Sequence, residues 1–239
     1  MRKVLLCVAL SLCLMPAFAQ RRPFTVIEAT IPDMQKAMKE KRITSHQIVE
    51  QYLLRIATYD AQLHATITVN PDALKEADRL DRERAQGKVR GPLHGIPIAL
   101  KDIIHTTDMP TTGGALAFAG MIPPYEATLT KNLRDAGAII IAKTSLTELA
   151  NWVAGPPTPM PTNYNAITGH GMNPYDARRD PRDAADGRAV LFAGGSSSGI
   201  GTAANFWAAN VGTETSGSIL TPSNAMMLVG IKPLSLIHI

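Results

Sequence analysis

Gly137-Ala138-Ile139-Ile140-Ile141-Ala142-Lys143-Thr144 holds an unbroken apolar run from Ala138 to Ala142. A strand wetted on one side alternates apolar and polar residues, so a run without alternation predicts a strand covered on both faces. Ile96-Pro97-Ile98-Ala99-Leu100 reads the same way. A helix is expected to end near Gly137 and feed the Ala138 strand. Ser145-Leu146-Thr147-Glu148 then has the form of a capping box and predicts a helix after that strand. Helix, strand and helix in succession predict an α/β fold with a mixed, largely parallel sheet flanked by helices.

Upstream, Thr44-Ser45-His46-Gln47 is another capping box. It precedes Val49, Tyr52, Leu53 and Ile56, which share one helical face. A further helix is expected to start at Asn70, with Pro71 in its first position, and to stop at Gly87. Its Ala73, Ala77 and Leu80 line one side. Residues 155–161 carry four prolines and predict irregular chain, and residues 176–188, with charges of both signs, predict a solvated surface loop.

The 239-residue chain is 45% apolar and 18% charged, which suits a packed core and excludes a charge-rich disordered polymer. Residues 1–19 have the form of a signal peptide. Arg2 and Lys3 precede an apolar stretch, and Ala17-Phe18-Ala19 predicts cleavage before Gln20. The apolar stretch is shorter than the roughly 20 residues of a membrane span. An exported protein, periplasmic or secreted, is therefore expected. Cleavage would remove both cysteines, Cys7 and Cys13, and two of the 24 basic residues, leaving 22 against 20 acidic. Such a near balance predicts neither nucleic acid nor membrane as a partner. His46, His64, His94, His105 and His170 show no metal-ligand spacing, and no metal or cofactor is expected.

Chemistry is most concentrated in two small-residue loops, Gly194-Gly195-Ser196-Ser197-Ser198-Gly199 and Gly212-Thr213-Glu214-Thr215-Ser216-Gly217-Ser218-Ile219. Their unhindered hydroxyls and backbone N–H groups let a carbonyl approach closely, and consecutive N–H groups can hold an oxyanion. Three active readings compete. Gly195 to Ser198-Gly199 fits a nucleophile elbow with Ser197 as nucleophile, yet the sole later histidine is His238. Gly199-Ile200-Gly201-Thr202-Ala203-Ala204 fits a loose dinucleotide fingerprint, with no acidic residue at the ribose spacing. The third reading takes Lys101, at the end of the Ile96–Leu100 strand, as a base for a serine in these loops.

Gly95 to Asp102, Asp108-Met109-Pro110-Thr111-Thr112, the two serine loops and Gly230-Ile231-Lys232-Pro233 together resemble the amidase signature family, block by block and in order. Asp135 to Ala138 and Lys143 to Leu149 extend the likeness to roughly residues 30–233. The resemblance implies the amidase signature fold and a Ser–cis-Ser–Lys triad. Ser218 is then the nucleophile, Ser196 the bridging serine (Ser197 and Ser198 being its substitutes) and Lys101 the base. The backbone N–H groups of Thr215, Ser216, Gly217 and Ser218 form the oxyanion hole. A small-molecule or peptide amide is the implied substrate. A lysine acting as a base near neutrality has its pKa brought from about 10.4 to about 7, roughly 4.6 kcal/mol, within what burial supplies.

The family's length implies that residues 20–233 are part of an amidase signature domain, truncated at its C-terminal side. Residues 234–239 do not resemble the family and are expected to be foreign to it. Two rivals remain: a binding protein of the same fold without catalysis, and an esterase of the α/β-hydrolase type using Ser197.

Overall fold

The computed structural model describes residues 23–151, 162–182, 187–195 and 198–233. The leader at 1–19 with its cleavage point at Gln20, the segment 155–161 and the tail 234–239 therefore lie outside the described residues.

Helix α1 (Ile31–Lys39) and helix α2 (Ser45–Leu63) both begin at reciprocal capping boxes, Thr30 with Asp33 and Thr44 with Gln47. In the second box each cap hydrogen bond is 3.1 Å. The expected face of α2 is the one that turns inward: Val49, Tyr52 and Ile56 are buried and Leu53 packs against the same core. Strand β1 (Thr66–Val69) follows, then helix α3 (Ala73–Ala85) with Ala73, Ala77 and Leu80 buried.

Helix α3 starts later than Asn70-Pro71 suggests. Asn70 donates its backbone N–H to Ile141 at 2.9 Å and its side-chain amide to Ile140 O at 2.7 Å. Its Oδ1 accepts the Asp72 N–H at 2.8 Å. These bonds tie Asn70 to the neighbouring strand in an Asx turn and delay the helix.

Strand β2 (Pro97–Lys101) and strand β3 (Ile139–Thr144) are the two apolar runs, and every residue in both is buried. Helix α4 (Thr128–Asp135) leads into β3 as expected. A four-stranded sheet has the order β1-β3-β2-β6, where β6 is Ala209–Val211. β2 runs parallel to both β3 and β6, and β1 is antiparallel to β3. The mixed, largely parallel sheet is thus present.

Both of its faces are covered. Ile98, Ile139 and Ile141 belong to the large core that includes α1, α2 and α3. Leu100 and Ile140 point the other way and pack with Ile104 and Met109, beside Leu133 of α4. Burying an aliphatic side chain of this kind contributes about 1.5–3 kcal/mol, which accounts for the absence of polar alternation.

The helix expected from Ser145 does not form. The Ser145 N–H donates to Ala65 O at 2.9 Å, and its hydroxyl joins Asn165 Nδ2 and Thr168 Oγ1. Glu148 accepts the Ala166 N–H at 2.8 Å and so does not reach back to a cap. Ala166 and Thr168 lie on the turn between the short strands β4 (Tyr164–Asn165) and β5 (Gly169–His170), and Asn165 ends β4. The capping groups are consumed by tertiary bonds. A short turn, Glu148–Asn151, follows with Leu149 and Ala150 at positive φ.

Candidate active site

Lys101 is the last residue of β2 and is 1% exposed. β6 pairs with β2 through Ile98, Ala99 and Leu100, so the chain leaving β6 passes directly beyond Lys101. Sites in open parallel sheets form at this carboxyl edge. Lys101 Nζ donates to the carbonyl oxygen of Thr213 at 3.0 Å, with the Thr213 hydroxyl at 3.5 Å. Burial lowers the Lys101 pKa to about 8, against a raising influence from Glu214.

The loop that receives Lys101 carries Ser218. Thr215 and Ser216 are exposed, while Gly217 and Ser218 are half-buried. Beyond Ser218 the chain enters the short helix α6 (Leu220–Ala225). Glu214 folds back on this turn and accepts the N–H groups of Ile219 at 2.5 Å and Leu220 at 2.8 Å.

The other serine loop approaches from a different direction. Thr147 holds its entrance: the Thr147 hydroxyl donates to Gly195 O at 2.7 Å and accepts the Asn163 N–H at 2.7 Å. Gly194 has φ +81°, and a Cβ there would lie 2.6 Å from Pro222 Cα in α6. Loop and helix therefore touch at a distance only glycine allows. Ser196 and Ser197 lie outside the described residues, and Ser198 opens helix α5 (Ser198–Ala203). Gly201 of the dinucleotide-like pattern has the Trp207 ring against it, with a Cβ position 2.1 Å from the ring. That glycine makes room for a core tryptophan, so the space a phosphate would need is filled.

Two features went unread in the sequence. Asp102 and Lys143 form an ion pair of 3.1 Å with no exposure of either side chain. Lys143 also donates to Pro110 O at 3.1 Å and Thr111 Oγ1 at 2.7 Å, while Asp102 accepts the Thr112 N–H at 2.9 Å. Burial pushes the Lys143 pKa down, and Asp102 opposes that shift. The second feature is Glu214. The only sequence signal for either was an ionisable residue inside an otherwise apolar or small-residue stretch. A cleft of about 120 Å³ opens beside Gly194, lined by Asn163, His170, Arg188 and Phe192 among others.

Among the described residues no three His, Cys, Asp or Glu side chains gather as a metal site. No described helix is long and apolar enough to cross a membrane.

The fold and the site together define an α/β protein whose mixed, largely parallel sheet ends, at its inner strand β2, in a buried lysine facing a Gly/Thr/Ser loop. Comparison with known proteins makes it specific. The Amidase family profile matches residues 47–237, and the chain belongs to that family. A probable amidase of Arabidopsis thaliana is 41% identical over 213 residues, covering 88% of this chain and 39% of that protein. The native peptide amidase of Stenotrophomonas maltophilia superposes with a TM-score of 0.71 at 40% identity, over 82% of this chain and 38% of that one. A structure of a peptide amidase with the competitive inhibitor chymostatin matches with the same TM-score, identity and coverage. The chain thus spans about two-fifths of the length of the relatives it matches.

Proposed function

We propose that the protein is an amidohydrolase that cleaves a carboxamide C–N bond through an acyl-enzyme on Ser218. The observation that carries this reading is the placement of Lys101, buried at the strand end and bonded to the loop that bears Ser218. A lysine with a pKa of about 8 is in part neutral near neutrality and can accept a proton. In this reading Ser218 Oγ attacks the amide carbonyl, and its proton passes through Ser196 to Lys101. The same relay returns a proton to the departing ammonia or amine. Water then attacks the ester, giving the acid and restoring Ser218.

The oxyanion is assigned to the N–H groups of Thr215, Ser216, Gly217 and Ser218. In this conformation the Gly217 N–H faces the Glu214 carboxylate, so it would have to turn from that carboxylate to serve the oxyanion. Loss of one such donor costs about 3–4 kcal/mol of barrier. Membership of the Amidase family and the likeness to a peptide amidase support a small-molecule or peptide amide as substrate. The leader supports export to the periplasm or beyond; amino-terminal sequencing of the exported chain should begin at Gln20.

Fluorophosphonate labelling of the 239-residue chain tests the mechanism. Label that vanishes in Ser218→Ala supports it, and Lys101→Ala should abolish turnover. Label that survives Ser218→Ala but is lost in Ser197→Ala would establish the esterase elbow instead. A folded protein that binds amides and takes no label would be a non-catalytic binding protein.

A further inference from the structure

Glu214 is the acidic residue of a loop otherwise made of Gly, Thr and Ser, and its side chain is 3% exposed. A buried carboxylate persists as an anion only where donors and positive charge replace its water. Those groups are present. Oε2 accepts the N–H groups of Ile219 and Leu220, the Gly217 N–H faces it, and Lys232 Nζ lies 3.8 Å from Oε1. Burial pushes the Glu214 pKa up, but these backbone donors and Lys232 outweigh it and hold the group below the usual carboxylate range.

The contacts have a direction. They run from Glu214 to residues on either side of Ser218, so the carboxylate clasps the turn in which Ser218 sits. One residue earlier, the Thr213 carbonyl accepts Lys101 Nζ at 3.0 Å. Thr213 and Glu214 thereby grip both candidate groups at once, the lysine by a carbonyl and the serine turn by a carboxylate. On the far side of β2, Asp102 and Lys143 carry opposite charges in one buried ion pair.

We propose that Glu214 is a positioning residue of this site: a buried anion that fixes the backbone around Ser218 and sets its charge against Lys101. The proposal rests on the Ser218 and Lys101 roles given above for its functional meaning, and on geometry alone for its placement. Its chemical sense is a balance at the base. Burial drives Lys101 towards neutrality, and the Glu214 anion, itself partly offset by Lys232, keeps enough proton affinity for the lysine to accept a proton and return it.

Carbon NMR of lysine-labelled 239-residue chain, with the Lys101 signal assigned by its loss in Lys101→Met, gives the Lys101 titration midpoint directly. In Glu214→Gln the midpoint should fall by about half a pH unit or more. In Glu214→Asp, which keeps the charge, it should stay within a few tenths of the parent. Fluorophosphonate labelling of Ser218 should slow at least about tenfold in Glu214→Gln, with circular dichroism unchanged. A midpoint that stays or rises in Glu214→Gln, or that falls equally in Glu214→Asp, overturns the proposal. If the parent takes no label at Ser218 yet the midpoints move as described, the nucleophile assignment fails and the placement of Glu214 stands.

Discussion

Lys143 reaches from β3 to Asp102, one residue past Lys101 on β2, and the two form a fully buried ion pair at 3.1 Å. The pair ties together the strand end and the Pro110–Thr112 segment, to which it makes further hydrogen bonds. The backbone of Asp102 is held as well, with its N–H on Thr144 O at 3.2 Å and its carbonyl accepting the Gly113 N–H at 2.9 Å. Lys101 therefore leaves a strand end that is fixed on every side.

Breaking that pair from one side strands a charge in the interior. Asp102→Asn and Lys143→Met should each destabilise the protein by about 3–5 kcal/mol, measured by denaturant unfolding. The double variant should cost less than the sum of the two. Strict additivity would mean that the two charges do not interact.

Lys101 itself is expected to be a stability burden. Below pH 8 it is protonated in both the folded and unfolded chain, and the folded state carries the cost of a buried cation. A pKa lowered to about 8 from an ordinary 10.5 corresponds to about 3 kcal/mol. Lys101→Met should therefore be more stable than the parent at neutral pH. Between about 8 and 10.5 the unfolded state holds more protons, so the parent gains stability as pH rises and the gap narrows. A gap that stays constant across that window would contradict the lowered pKa.

The two neighbouring glycines of the first serine loop should behave differently. Gly194→Ala places a Cβ against Pro222 at a positive φ and should cost about 1–3 kcal/mol, with slower labelling of Ser218 because Pro222 follows it in the chain. Gly195 has open space where a Cβ would go, and Gly195→Ala should stay within about 0.5 kcal/mol of the parent. Thermal unfolding of the two variants side by side checks both.

Much of the fold was legible because its signals are short-range. The Thr44–Gln47 cap and the Val49, Tyr52 and Ile56 face need only one helix to make sense. The limits show at Asn70 and Ser145. Each has a residue type suited to starting a helix, and each is taken instead by a partner distant in the chain: Ile140 and Ile141 for Asn70, Ala65 and the 165–168 turn for Ser145. Local propensity is weaker than a set of buried hydrogen bonds, so the tertiary contacts prevail.

Ala138–Ala142 and Ile96–Leu100 by themselves determined that these segments are buried on all sides, because an apolar run is stable in water only when covered, and their shortness made them strands. Order along the chain also placed Lys101 at a strand end. Only the tertiary structure decided what that lysine meets. β6 had to pair with β2 before Thr213 could reach it, Glu214 had to fold back on the Ser218 turn, and Lys143 had to cross to Asp102. Those three relationships join residues brought together by packing, and the burial that packing produces is what turns an ordinary surface charge into a candidate base.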